Sequence, residues 1–104
     1  MLVTLGFMTP EDLADHFTKH HAEFGFESEM EYLVAADAFL GRSLDLATTG
    51  QCHRRNGDLL RYNPSTEEFG VLGSNRVIKT YCKPDPVDHR QPNNLVYFRL
   101  ECRK

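Results

Sequence analysis

The spacing of the hydrophobic residues changes once along this chain, near Gly41, and this change constrains the fold more than any other feature. Before it, apolar residues recur every three or four positions, as in an amphipathic helix. After it, short runs rich in Val, Ile, Thr and Tyr alternate with turn residues. Helices followed by strands predict an α+β domain in which the helices cover one face of an antiparallel sheet. At 104 residues the chain has the size of a single domain, 1–104.

Two helices are predicted between about residues 10 and 41. Thr9-Pro10 supplies an N-cap and a first helical residue, and Gly25 ends the first helix. A capping box at residues 28–31 begins the second helix, which Gly41 ends.

A sheet of about four to five strands is predicted between about residues 46 and 102. Asn56-Gly57 is the strongest short hairpin signal in the sequence. The predicted strands cover residues 51–55, 59–62, 69–72, 76–82 and 95–102.

Charge is unevenly distributed over the two halves of the chain. Residues 1–48 contain nine acidic and two basic residues, a net charge of −7, whereas residues 49–104 contain ten basic and six acidic residues, a net charge of +4, and the two sum to −3. A basic sheet half would attract a polyanion. The same charges also fit two faces that are simply kept in water.

Four polar side chains share one face of the first predicted helix: His16, Lys19, His20 and Glu23 fall at i, i+3, i+4 and i+7. Imidazole transfers protons near neutral pH, and a neighbouring ammonium stabilises an anion. These groups suit RNA cleavage without a metal, in which a base activates the ribose 2′-hydroxyl and an acid protonates the leaving oxygen. They also fit an ordinary solvated helix face. A metal ion shared by the two histidines, with Glu23 one turn further on, fits less well, because no cysteine ligand and no HExxH pattern lie nearby.

Basic, hydroxyl and aromatic side chains also occur on the predicted strands, where Lys79, Thr80 and Tyr81 follow one another and Arg55 and Arg61 flank the hairpin turn. A site for phosphate and base needs such groups. A sheet face in contact with water carries them as well.

The three cysteines, Cys52, Cys82 and Cys102, are too widely spaced for a CxxC motif, and their odd number argues against a disulfide framework and favours a reducing compartment. All three fall in predicted strands, where a cysteine is more often a buried thiol than a catalytic nucleophile. His53 is either a third imidazole of the site or a polar residue on an edge strand, and His89 is expected to be exposed. With no apolar run near the roughly 20 residues that span a bilayer and no convincing signal peptide, a cytosolic site of action is expected.

The order of motifs resembles that of C-terminal toxin domains of bacterial polymorphic and contact-dependent toxins. Residues 16–25, HFTKHHAEFG, are similar to an HF-x-KH-x-x-EFG stretch of these domains, and residues 77–84, VIKTYCKP, are similar to their G-x-I-[RK]-T-[YF]-[YF]-x-P strand. The resemblance covers about residues 15–84. Within this range it also includes residues 28–39, 55–62 and 68–71. It departs from the family at Asn75-Arg76, where a glycine usually precedes the strand. Such domains and related phage nucleases are grouped with barnase, EndoU, colicin D and RelE as the BECR ribonuclease fold.

The resemblance implies a metal-independent endoribonuclease without a cofactor, which often acts on tRNA and leaves a 2′,3′-cyclic phosphate. It also implies a cognate immunity protein or antitoxin, no membrane partner, and action in the cytosol of a target or host bacterium, with a larger secreted toxin as one route of delivery. By this resemblance one of the two histidines carries the proton, the lysines hold the phosphate, and Arg55, Arg61 and Tyr81 support substrate binding. The expected catalytic residues are His16, Lys19, His20, Lys79 and Thr80. The alternative is a non-catalytic phage or bacterial module of the same fold that binds nucleic acid or protein. The net negative charge is unusual for an RNA-binding enzyme, although a local basic cleft would account for it.

Overall fold

The computed structural model describes residues 2–104, and this part of the chain contains four helices and one four-stranded sheet. The elements are α1 (Pro10–Phe24), α2 (Glu29–Gly41), β1 (Gly50–His53), β2 (Leu59–Asn63), β3 (Glu68–Leu72), β4 (Ile78–Cys82), α3 (Pro86–His89) and α4 (Asn94–Cys102). The predicted α+β class is confirmed. None of these helices is both long and apolar enough to cross a bilayer.

Both N-terminal helices begin and end where the local sequence predicts. The Thr9 hydroxyl accepts the Asp12 N–H at 3.0 Å, and Gly25, at φ 78°, donates its N–H to the last turn of α1. The Ser28 hydroxyl accepts the Glu31 N–H at 3.1 Å, which begins α2. These caps depend only on neighbouring residues.

The sheet has the strand order β1-β2-β3-β4, and every neighbouring pair is antiparallel. The predicted Asn56-Gly57 hairpin joins β1 and β2, with Gly57 at φ 92°. On the opposite edge, α1 packs along β4. The N-terminal segment also lies beside β4, where the Ile78 N–H donates to the Gly6 carbonyl at 2.8 Å.

A β-bulge interrupts the pairing of β3 and β4. Val71 faces Thr80 and Leu72 faces Ile78, so the intervening Lys79 has no partner in the register. Bulges of this kind bend a strand and redirect a side chain. In the turn before β4, Arg76 has φ 71°, so the turn keeps a left-handed residue close to the position where the resemblance expects glycine.

The prediction that residues 95–102 form a strand was wrong, because they lie in helix α4. Its run of apolar and aromatic residues is too short for periodicity to distinguish a helix from a strand. The Asn93 side chain caps the helix by accepting the Val96 N–H at 2.9 Å. Phe98 of α4 is buried against the sheet.

Helices therefore cover both faces of the sheet rather than one. On one face, α1 and α2 build a core around Tyr32, Ala36, Leu40, Leu72, Ile78 and Tyr81. On the other face, α4 packs on a core of Leu60, Tyr62, Phe69, Val71 and Phe98.

The expectation of three reduced cysteines was also wrong. Cys52 of β1 and Cys102 at the end of α4 form a disulfide across 50 positions of sequence, and Cys82 is free. The pairing follows from the packing of α4 on the face of the sheet, next to β2. The predicted last strand would not have placed Cys102 there. The bond ties the C-terminal end of α4 to the edge of the sheet.

Candidate active site

A cleft of about 370 Å³ lies between α1, the end of β4 and the α3–α4 segment. α1 lines it with Lys19, His20 and Glu23, and β4 lines it with Thr80. Tyr97 of α4 lies on the wall formed by α3 and α4. The structure thus brings together three of the five catalytic residues expected from the sequence.

His20 is held in one orientation by a carboxylate. Its imidazole Nδ1 lies 2.8 Å from Glu23 Oε2, and Glu23 Oε1 accepts the backbone N–H of Lys83 at 2.7 Å. An Nδ1–H that donates to the carboxylate leaves the Nε2 lone pair to accept a proton. Only 9% of His20 is exposed, so the ring is held within the wall of the cleft.

Glu23 was expected on this helix face only as a ligand in the metal alternative. In the structure it contacts His20 and the segment after β4, which makes it a positioning residue that spacing alone did not reveal. Within residues 2–104, no group of three or more His, Cys, Asp or Glu side chains is arranged to hold a metal ion.

His16 lies one turn before His20 on α1, with 6.0 Å between the ring centres, and it packs on Phe7 at 5.0 Å. It lines a second cavity of about 240 Å³ that also contains Lys79. Burial, together with the nearby charges of His20 and Lys19, lowers the pKa of His16. Its Nδ1 is buried and has no hydrogen-bond partner among residues 2–104. The lowered pKa favours the neutral form of His16.

Lys79 is not free to neutralise a phosphate on its own. Its ammonium lies 2.9 Å from Asp58 Oδ1 and 3.0 Å from Oδ2, and Asn56 and Arg54 also contact this carboxylate. Burial opposes ionisation of Asp58, but the hydrogen bonds from Lys79 and Asn56 lower its pKa. Lys19, by contrast, is exposed and makes no ion pair with the described residues. Lys19 is the freer cation of the two.

Arg61, expected to bind substrate, is a buried residue of the fold. Its guanidinium donates to the carbonyls of Phe39 and Arg42 at 3.0 and 2.7 Å and to Gln51 Oε1 at 2.7 Å. The two carbonyls belong to the C-terminal end of α2, which has no intrahelical donor for them. Arg61 therefore caps α2 and does not face an incoming ligand.

Tyr81 and Arg55 also lie outside the cleft. Tyr81 is 1% exposed and stacks on Phe24, while its hydroxyl donates to Glu68. Burial and the Glu68 carboxylate raise the pKa of Tyr81. Arg55 is exposed in the β1–β2 turn, where it can contact only a ligand that extends beyond the cleft.

The remaining histidines and the free cysteine occupy different environments. His53 is exposed on β1, at the sheet edge opposite β4. His89, expected to be exposed, is half-buried, lines the cleft and stacks on Tyr97. Cys82 also lines the cleft, and burial raises the pKa of its thiol to about 12, so it is not an activated nucleophile.

No family model matches this sequence, and no curated protein matches it significantly. Among solved structures, the chain is similar to a ribonuclease from Escherichia coli that was solved in complex with its inhibitor protein. The two share 21% identity with a TM-score of 0.57, over 84% of this chain and 95% of that chain. At this identity the similarity concerns the fold, so the chain has a ribonuclease-like α+β fold.

Proposed function

We propose that this chain is a metal-independent endoribonuclease toxin, which cleaves RNA, and tRNA in particular, by attack of a ribose 2′-hydroxyl. The observation that carries the proposal is the His20–Glu23 pair in a cleft that also contains Lys19 and Thr80. The ribonuclease-like fold supports it independently.

In the proposed reaction, His20 Nε2 removes the proton of the 2′-hydroxyl as the oxygen attacks phosphorus. The bond from phosphorus to the 5′ oxygen breaks, and the products are a 2′,3′-cyclic phosphate and a 5′-hydroxyl. Glu23 stabilises the imidazolium that forms on His20. The leaving 5′ oxygen takes its proton from solvent water. His16, which lines the neighbouring cavity and has a lowered pKa, is assigned no proton transfer.

The phosphate is assigned to the exposed ammonium of Lys19 and to the hydroxyl of Thr80, because both line the cleft with His20. Negative charge that develops on the phosphate is stabilised by such fixed donors. Lys79 has a smaller role, because its ammonium is already paired with the Asp58 carboxylate. Arg55 is assigned to flanking backbone phosphates outside the cleft.

A toxin of this kind needs a partner that protects the producing cell. The similar Escherichia coli ribonuclease was solved with an inhibitor protein, which supports a cognate immunity protein or antitoxin here. We place the action of the domain in the bacterial cytosol, where tRNA is found.

The test is incubation of purified protein with total tRNA in EDTA. Cleavage is expected for the native protein and for His53→Ala, which changes an exposed histidine away from the cleft, and is expected to be lost in His20→Ala. RNA that stays intact under all conditions would contradict the proposal. Cleavage that disappears in EDTA would instead favour the metal alternative.

A non-catalytic binding module of the same fold is the second candidate. The net charge of −3 favours a module that binds a protein, because RNA-binding proteins gain most of their affinity from cationic contacts to phosphate. It predicts that RNA or a protein is bound but that no RNA is cut.

A further inference from the structure

We propose that the wall of the cleft opposite α1 is a binding site for one unpaired nucleobase, formed by the stacked rings of His89 and Tyr97. The inference rests on the proposed ribonuclease function and adds to it the part of the substrate that this wall contacts. Neither residue was expected in the site from the sequence.

The two rings stack face to face, so an incoming base can stack only on an outer face of this pair. Their centres are 4.3 Å apart with 13° between the planes, and both rings line the cleft. Phe69 meets Tyr97 edge-on at 5.4 Å from the core side. Proteins that bind unpaired RNA stack bases on aromatic and histidine rings of this kind.

The imidazole of His89 is fixed and has no role left in proton transfer. Nδ1 accepts the Gln91 N–H at 3.1 Å, so Nε2 carries the hydrogen and donates to Asn94 Oδ1 at 2.8 Å. Asn94 is itself 5% exposed and donates to the Pro84 carbonyl at 2.8 Å and to Glu67. Because both ring nitrogens are hydrogen-bonded, the imidazole can offer a ligand only its flat face. The hydrogen bonds through Asn94 fix the orientation of that face.

The charges in the cleft favour one orientation of a nucleotide. Lys19 and His20 lie on the α1 side, and the Lys83 ammonium lies over the Phe24 ring of the same helix. The Glu23 carboxylate on this side is paired with His20 and the Lys83 N–H, whereas the carboxylates of Asp85 and Asp88 lie on the α3 side. Asp85 Oδ1 accepts the Val87 N–H at 2.9 Å, and the Asp88 carboxylate accepts no hydrogen bond from the described residues. A phosphate is repelled by these acids, but an amino group of a base can donate to Asp88. The cleft, at about 370 Å³, has the size of a small-ligand site.

The experiment measures the binding of the four 3′-nucleoside monophosphates and of inorganic phosphate by calorimetry and by the NMR shifts of the His89 and Tyr97 ring protons. These nucleotides have no scissile 5′ bond, so the wild-type protein can be used. We expect cytidine 3′-monophosphate to bind about tenfold tighter than inorganic phosphate, with shifts at both rings.

Variants separate the two parts of the site. Tyr97→Leu should remove the roughly tenfold gain from the base and leave the affinity for inorganic phosphate unchanged, while Tyr97→Phe should retain it. Asp88→Asn changes an exposed residue and should bring the affinities for cytidine and uridine 3′-monophosphate, which differ by one amino group, close to equal.

Two outcomes would overturn the subsite: nucleotides that bind no more tightly than inorganic phosphate, or Tyr97→Leu protein that is folded by circular dichroism and keeps the full gain. Either result can occur in a protein that still cleaves tRNA. Conversely, base-dependent binding without any cleavage would reject the ribonuclease proposal and leave the subsite in place.

Discussion

The imidazole of His20 and the carboxylate of Glu23 are joined at 2.8 Å, and the backbone N–H of Lys83 holds the other carboxylate oxygen at 2.7 Å. The end of β4 thereby positions a histidine on α1. This contact joins the first helix and the end of the last strand, the two elements whose residues the sequence analysis expected in the site.

Glu23→Gln should reduce kcat for RNA cleavage about 10²-fold with little change in KM, because a neutral amide no longer stabilises the imidazolium. Steady-state kinetics on a short fluorescent RNA measures both constants. Glu27→Gln, at an exposed position after α1, is the matched control. Equal activity of the two variants would show that Glu23 does not act through His20.

The Asp58–Lys79 pair makes stability depend on pH in the acid range. The folded protein lowers the pKa of Asp58 from its ordinary value of 3.8. Although burial opposes it, the pKa of Asp37 is lowered as well, because its carboxylate accepts the Thr4 hydroxyl and the Val3 and Thr4 N–H groups. A carboxyl with a lowered pKa contributes stability above the unfolded value, and this contribution is lost as the pH falls through the folded value. Urea unfolding should therefore show a loss of stability below about pH 4.

The variant that tests this pair is Asp58→Asn. It should lower the free energy of unfolding at pH 7 by about 1–3 kcal/mol and weaken the dependence on acid pH. Asp45→Asn, at an exposed carboxylate outside this network, should change neither. An unchanged acid profile in Asp58→Asn would show that the ion pair contributes nothing to stability.

The Cys52–Cys102 disulfide should contribute about 4 kcal/mol, because it closes a loop of 50 positions and restricts the unfolded chain. Thermal unfolding should show a lower Tm after reduction or in Cys52→Ser. Cys82→Ser keeps the disulfide, so reduction should lower its Tm by as much as it lowers the Tm of the native protein. A Tm that reduction does not change would mean that the two cysteines are not bonded.

Arg61 and Arg55 should affect different properties. Arg61→Met leaves the carbonyls at the end of α2 without donors and should lower the free energy of unfolding by about 2–3 kcal/mol. Arg55→Ala should leave stability unchanged and increase KM for long RNA, with little effect on a dinucleotide. Chemical denaturation measures the effect on stability, and kinetics on both substrates measures the effect on KM. An Arg61→Met protein that is as stable as the native protein but has a raised KM would show that Arg61 binds substrate.

The parts of the fold that were predicted correctly depend on local chemistry. Thr9 and Ser28 cap their helices through residues three positions away, and Asn56-Gly57 forms its turn from its own conformational preference. Helix α4 could not be predicted in this way, since its short apolar run is compatible with either structure. The disulfide was missed with it, because Cys102 reaches Cys52 only when that helix packs on the sheet.

In the candidate site, too, the features set by local sequence were predicted and those set by tertiary packing were not. Lys19, His20 and Glu23 line one cleft as expected for residues on one helix face, whose period is visible in the sequence, whereas His16, predicted on the same face, lines the neighbouring cavity. The pairing of Lys79 with Asp58 depends on a bulge, and the burial of Arg61 depends on where α2 ends. Neither feature has a sequence signature.

The chemistry of the new RNA ends tests the central claim most directly. With a defined tRNA in EDTA, the account predicts fragments with 2′,3′-cyclic phosphate and 5′-hydroxyl ends, produced by the native protein and not by His20→Ala. Mass spectrometry of the fragments identifies both ends. Fragments with 3′-hydroxyl and 5′-phosphate ends, or full cleavage by His20→Ala, would contradict attack by the 2′-hydroxyl with His20 as the proton acceptor.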